Sequence, residues 1–127
     1  MATKTVNKLT PIRRGDTKIW EFNFLDEANI AQDITDHIFT IALKEIITDP
    51  NAKATILKSV VGGPANNNLD DVLNGKLFFT LMASETAKLS IQTYSIGISQ
   101  SIPSAPENII RTLLVDEIQV IPDVAIN

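Results

Sequence analysis

The chain has no cysteine and only one histidine, one tryptophan and one tyrosine in 127 residues. Without cysteine there is no disulfide, no thiolate nucleophile and no cysteine-ligated zinc, which leaves the redox compartment open. A catalytic triad would have to rest on His37, and no Gly-x-Ser-x-Gly elbow accompanies it. No glycine-rich phosphate cradle is present. No apolar run approaches the roughly 18–20 residues of a membrane span, and the polar start, residues 1–15, lacks the apolar stretch of a secretory signal. For a whole gene product this predicts folding in a cytoplasm without signal-peptide export. Charge is also scarce, at 20% of residues with a formal net charge of −4. A mildly acidic surface is repelled by phosphate backbones, so no nucleic-acid partner is expected.

What is present is β-forming. Hydrophobic residues make up 44% of the chain, enough for one core in one domain of this length. Isoleucine, valine and threonine number 18, 7 and 12, and β-branched side chains favour pleated, half-buried surfaces. In the strand expected over Thr17–Leu25, Trp20, Phe22 and Phe24 alternate with Ile19, Glu21 and Asn23. That period of two puts three rings on one face of a strand entered from a Gly15-Asp16 turn.

The same pattern recurs downstream. Residues 9–13 suit a short strand that Pro11 confines to an edge, and 26–29 form a turn. Residues 38–47 fit either a strand or a helical face. The strand formers Ile38–Ile41 and the Asp49-Pro50-Asn51 turn signal favour the strand. Further strands are expected at 54–61, 76–81 (after an Asn74-Gly75 turn), 93–99 and 110–121, with Ser84 as N-cap of one helical turn at 84–88. The expected class is all-β: a single immunoglobulin-like antiparallel sandwich of about seven strands. Residues 1–8 are read as a flexible arm, 9–124 as the sandwich and 125–127 as a tail.

Four motifs carry a resemblance. They are Arg14-Gly15-Asp16-Thr17 before the aromatic strand, Asp33-Ile34-Thr35 before Ile38, and Asn74-Gly75-Lys76 through Ser84-Glu85-Thr86-Ala87-Lys88-Leu89 to Tyr94. The fourth is Arg111-Thr112-Leu113-Leu114 through Ile118-Gln119-Val120-Ile121-Pro122-Asp123-Val124. In order and spacing they resemble the N-terminal immunoglobulin-like domain of phage baseplate upper proteins and related small phage tail proteins. The resemblance implies a virion structural role without catalysis, in a tail, baseplate or fibre joint, assembled in the host cytoplasm. Its implied partners are other virion proteins and further copies of the chain, with no cofactor, no membrane and no small-molecule substrate. A capsid-surface decoration protein, or a carbohydrate-binding or adhesin module, is the alternative.

Individual candidates have plainer readings. Arg14-Gly15-Asp16 matches an adhesion tripeptide but reads as a strand-starting turn. His37 with Asp33 and Asp36, or Asn66-Asn67-Asn68 with Asp70 and Asp71, could offer metal ligands; neither has the ligand set or loop order of a metal site. The adjacent acids Asp26/Glu27 and Asp116/Glu117 point to opposite faces if extended. Trp20 is a sugar-stacking candidate that shares its face with Phe22 and Phe24 and so reads as core. Tyr94 suits a tyrosine corner, its hydroxyl bonded to nearby backbone. The expected partner contacts are strand edges, the arm (Lys4, Thr5, Val6, Asn7, Lys8) and the loops 62–74 (Asn66, Asn67, Asn68) and 101–109 (Ser104, Ala105).

Overall fold

The computed structural model describes residues 4–5, 9–26, 28–46, 54–104 and 106–122. Its strands are β1 (Lys4–Thr5), β2 (Ile12–Arg13), β3 (Lys18–Leu25), β4 (Ile38–Lys44), β5 (Ile56–Val61), β6 (Lys76–Leu81), β7 (Thr93–Ile102) and β8 (Ile109–Ile121). A 3-10 turn at Val72–Asn74 and a single helical turn, α1 (Ala83–Thr86), are the helical elements among the described residues. The strands form two sheets, ordered β1-β3-β6 and β2-β8-β7-β4-β5. All pairs are antiparallel except β2 on β8, which is parallel. Setting β3 beside β6, and β7 between β4 and β8, is the connectivity of an immunoglobulin-like sandwich.

Alternation decides which side chains enter the space between the sheets. From β3 these are Trp20, Phe22 and Phe24; from β6 they are Leu77, Phe79 and Leu81. Facing them are Phe39, Ile41 and Leu43 of β4 and Tyr94, Ile96 and Ile98 of β7, all essentially removed from water. Ile38–Lys44, ambiguous by pattern, is therefore strand, because tertiary packing selects the period-two face over the helical one. Phe24 stacks on Phe39 across the two sheets, ring centroids 4.5 Å apart and planes 20° from parallel. Trp20, Phe22 and Phe24 continue that contact along β3 at 6.2–6.5 Å spacing.

Tyr94 makes the anticipated corner: the Ser90 N–H donates to its hydroxyl at 2.9 Å. Gly75 holds φ +72°, which closes the turn into β6, and its carbonyl accepts the Phe24 N–H at 2.9 Å.

Four details depart from the expectation. Eight strands form among the described residues instead of seven, since Lys4–Thr5 adds a short one, while the short strand expected within 9–13 is present at Ile12–Arg13. Lys4 and Thr5 pair with Leu25 and Phe24, so this part of the segment read as a flexible arm is strand; residues 1–3 and 6–8 lie outside the described residues, as do 123–127. The helical turn begins at Ala83 with Met82 as N-cap, and Ser84 lies within it. The Glu85 carboxylate accepts the Met82 N–H at 2.8 Å, the N3-to-N-cap half of a capping box, and no N-cap side chain bonds the first turn as the serine was expected to. Finally, β8 carries a bulge: Ile98 pairs with Leu114 but Ser99 with Thr112, leaving Leu113 as the extra residue.

Two substitutions test this packing. Tyr94→Phe removes only the hydroxyl and should cost about 1 kcal/mol in urea unfolding, the usual net value of one such bond. Gly75→Ala should cost at least about 2 kcal/mol, because a Cβ there would lie 2.5 Å from the Phe24 carbonyl oxygen.

Candidate functional site

The loop between β5 and β6 was expected to face partners, yet its polar side chains turn inward onto β6. Asp70 accepts the Phe78 N–H at 2.8 Å through Oδ1 and the Gly63 N–H at 3.0 Å through Oδ2. Asn66 donates Nδ2 to Asp70 Oδ2 and to the Phe78 carbonyl, both at 2.8 Å. The two side chains thereby satisfy both backbone groups of Phe78 on the side where another strand would pair. Lys58 adds to this closure by donating to the Thr80 carbonyl at 2.7 Å. Asn66 is thus a brace of the β6 edge, and Asn67 forms a local turn, its Oδ1 accepting the Leu69 N–H at 2.9 Å. Of the remaining candidates, Asn68 and Ser104 are exposed, Lys4 and Thr5 lie in β1, and Val6, Asn7, Lys8 and Ala105 lie outside the described residues.

The other edges differ. β5 pairs with β4, and among the described residues no strand lies on its far side. Its inward-facing position opposite Ile41 is Lys58, whose ammonium pairs with Glu85 at 2.9 Å. An inward charge on an edge strand discourages strand addition. Burial pulls the Glu85 pKa upward, but the bonds from Met82 and Lys58 outweigh it and hold the carboxyl below its ordinary value. β8 pairs with β7 along its length, whereas on its second side β2 covers only Val120 and Ile121. Among the described residues, most of that 13-residue strand therefore has no second neighbour, and it is interrupted by the Leu113 bulge.

The outward face of the five-stranded sheet is where sequence reasoning did not look. Pairing registers place its side chains in rows across the strands. One row is Val115, Gly97, Ala42 and Leu57; the next is Thr112, Ser99, Thr40 and Ser59; the third is Ile110, Ser101, Ile38 and Val61. Thr40 and Ser59 join their hydroxyls at 2.7 Å. Charge enters only at one end, in a row with Glu117 and Lys44 on either side of Ser95. Ile110, Val115, Leu57, Val61 and Ile38 are 39–66% exposed. The small residues between them leave a shallow groove of about 260 Å³. A solvent-facing sheet surface normally carries charged and polar side chains at such positions. The legible signal was the outward phase Ser95, Gly97, Ser99, Ser101 in β7, which holds no charge.

The remaining motifs are occupied in the fold. The Arg14-Gly15-Asp16 turn docks on α1: Arg14 Nε donates to the Leu89 carbonyl at 2.8 Å and the Gly15 N–H to Thr86 Oγ1 at 3.1 Å. Trp20 is 4% exposed, a core residue. Asp33 accepts the Thr35 N–H at 2.9 Å, and its Thr35 hydrogen bonds keep its carboxyl below the ordinary range. His37 is half-buried, with Nδ1 2.9 Å from the amide of the fully buried Gln100. Burial lowers its pKa, against the opposing pull of Asp33 and Asp36. Asp116 and Glu117 register with Ile96 and Ser95, hence with opposite faces.

No family model matches the chain, and no curated protein matches it significantly.

Asp70→Ala strips the acceptor from three donors at once and should cost about 2–3 kcal/mol in chemical denaturation. Asn68→Ala, in the same loop, should stay within about 0.5 kcal/mol of wild type. For His37 the folded pKa is depressed below 6.5, so the unfolded chain takes up its proton first as pH falls. Its contribution is complete above 6.5 and is lost as pH falls through the folded value. The melting temperature should decline as pH falls below 6.5, and His37→Gln should flatten that segment of the profile.

Proposed function

We propose that this chain is a non-enzymatic structural protein of a phage virion, an immunoglobulin-like unit built into a tail, baseplate or fibre joint. The observation that carries the assembly part of this reading is the five-stranded sheet. It leaves a charge-poor, aliphatic outer face exposed, as a protein that functions by being covered would. The virion part rests on the resemblance of the turn-and-strand motifs to baseplate upper proteins. Its partners are further virion proteins and further copies of itself, and its mechanism is surface packing.

The carbohydrate-binding alternative needs aromatic rings at the surface. Six of the seven aromatic side chains are buried, and Phe78 is half-buried, so the geometry favours attachment by sheet surface over ring stacking on sugars. A decoration role on the capsid would use the same surfaces, and one experiment separates the two positions.

Particles purified from a lysate that expresses the gene, split into head and tail fractions, should contain peptides of this chain at structural copy number in the tail fraction by mass spectrometry. Recovery with heads alone would move it to the capsid surface. Absence from both fractions would sink the virion role.

A further inference from the structure

We infer that the outer face of the five-stranded sheet docks a second copy of this chain, in a twofold dimer whose axis runs along the Thr112-Ser99-Thr40-Ser59 row. The inference rests on the assembly reading for its biological setting and on the face itself for its geometry.

A twofold interface requires a surface complementary to itself, with residue i meeting j and j meeting i. Rotation about the hydroxyl row places that row against its own copy. Hydroxyls both donate and accept, so such a row can satisfy itself, as a row of carboxylates or ammoniums could not. The same rotation lays the Val115-Gly97-Ala42-Leu57 row on the Ile110-Ser101-Ile38-Val61 row of the other copy, twice. Strand by strand, Val115 meets Ile110, Gly97 meets Ser101, Ala42 meets Ile38, and Leu57 meets Val61. Bulky Ile38, 39% exposed, enters the groove floored by Ala42 and Gly97. Two aliphatic layers then flank a hydroxyl centre, while the Glu117 and Lys44 row falls at the rim, where charges remain solvated.

The size is adequate. Four strands about 4.8 Å apart and seven residues of about 3.4 Å each make a face of roughly 450 Å² in projection. Two copies contribute on the order of 900 Å² before corrugation is counted, close to the roughly 1,000 Å² that a specific interface needs. Charge does not oppose the pairing. The chain is net negative, but its carboxylates lie away from the three contacting rows. The three contacting rows offer no charged side chain to a partner recognised by charge, Lys44 lying at the end of the groove; a second copy finds matching rows.

The absence of cysteine makes the geometry directly readable. The full chain should sediment as a dimer of the 13.9 kDa unit at micromolar concentration. Val115→Asp and Ile110→Asp, both at exposed positions, should weaken dimerisation about tenfold or more by placing an uncompensated charge between aliphatic layers, with the circular-dichroism spectrum unchanged. Ser99→Cys and Thr40→Cys, on the axis, should each cross-link to their own copy with a short bis-maleimide. Ile19→Cys, exposed on the other sheet, should not. A monomer at all concentrations up to about 100 μM overturns the proposal, as does a dimer indifferent to both aspartates or cross-linking equally at Ile19. A monomer that Val115→Asp strips from particles would assign the face to a different protein, which also overturns it. Particles that lack the chain while the dimer persists would remove the virion role alone.

Discussion

The two sheets are joined by one aromatic contact, the stacking of Phe24 on Phe39, and much of the fold depends on the alternation that delivers those rings. β3 can offer Trp20, Phe22 and Phe24 together only if it is extended and in register with β6. A slip of one residue would send all three rings to solvent and bring Glu21 and Asn23 inside. The turns around β3 and β6 protect that register. Gly75 closes the entry to β6 against the Phe24 backbone, and the Gly15 turn is anchored to Thr86. Burial of large rings is the main driving force, and the glycine turns determine which residues receive it.

Alternation is also why much of the fold was legible. In Lys18–Leu25, Lys76–Leu81 and Tyr94–Ile98 every second residue is a large apolar one, and each became a strand with the expected face inward. Ile109–Val115 was harder, because aliphatic residues occupy consecutive positions and period two gives no face there. The Leu113 bulge, which resets the phase, is the physical reason. Lys4–Thr5 was illegible because a two-residue strand has no period; its place comes from the open side of β3. Ser84 misled because the N-cap position depends on where the chain leaves β6, which places it at Met82, and the side chain that stabilises this helix start is Glu85, which accepts the Met82 N–H.

The candidate surface was less legible than the fold. Polar loop composition pointed to Asn66 and Asn67, but short polar side chains also bond to backbone, and here Asp70 and Asn66 use that capacity to close β6. The informative residues were small and uncharged ones at outward positions of β7 and β4. Each is unremarkable alone. Their meaning comes from the cross-strand register, which aligns Gly97 with Ala42 and Ser99 with Thr40, and register is not contained in any single strand.

Protection against unwanted pairing is distributed unevenly over this sandwich. The β6 edge is capped by side chains, β5 carries the inward Lys58 and β8 carries a bulge, each a device that hinders addition of a further strand. The outer face of the five-stranded sheet has no comparable defence, since its one charged row lies at an end and its centre is aliphatic and hydroxylic. Lysine or glutamate at Thr40, Ser99 or Thr112 would be sterically tolerable on a solvent-facing sheet surface and would improve solubility. A sandwich that guards its edges while leaving this face uncharged directs association to side-chain packing between faces, where shape and row matching set the partner, and away from backbone pairing, where any extended strand could join.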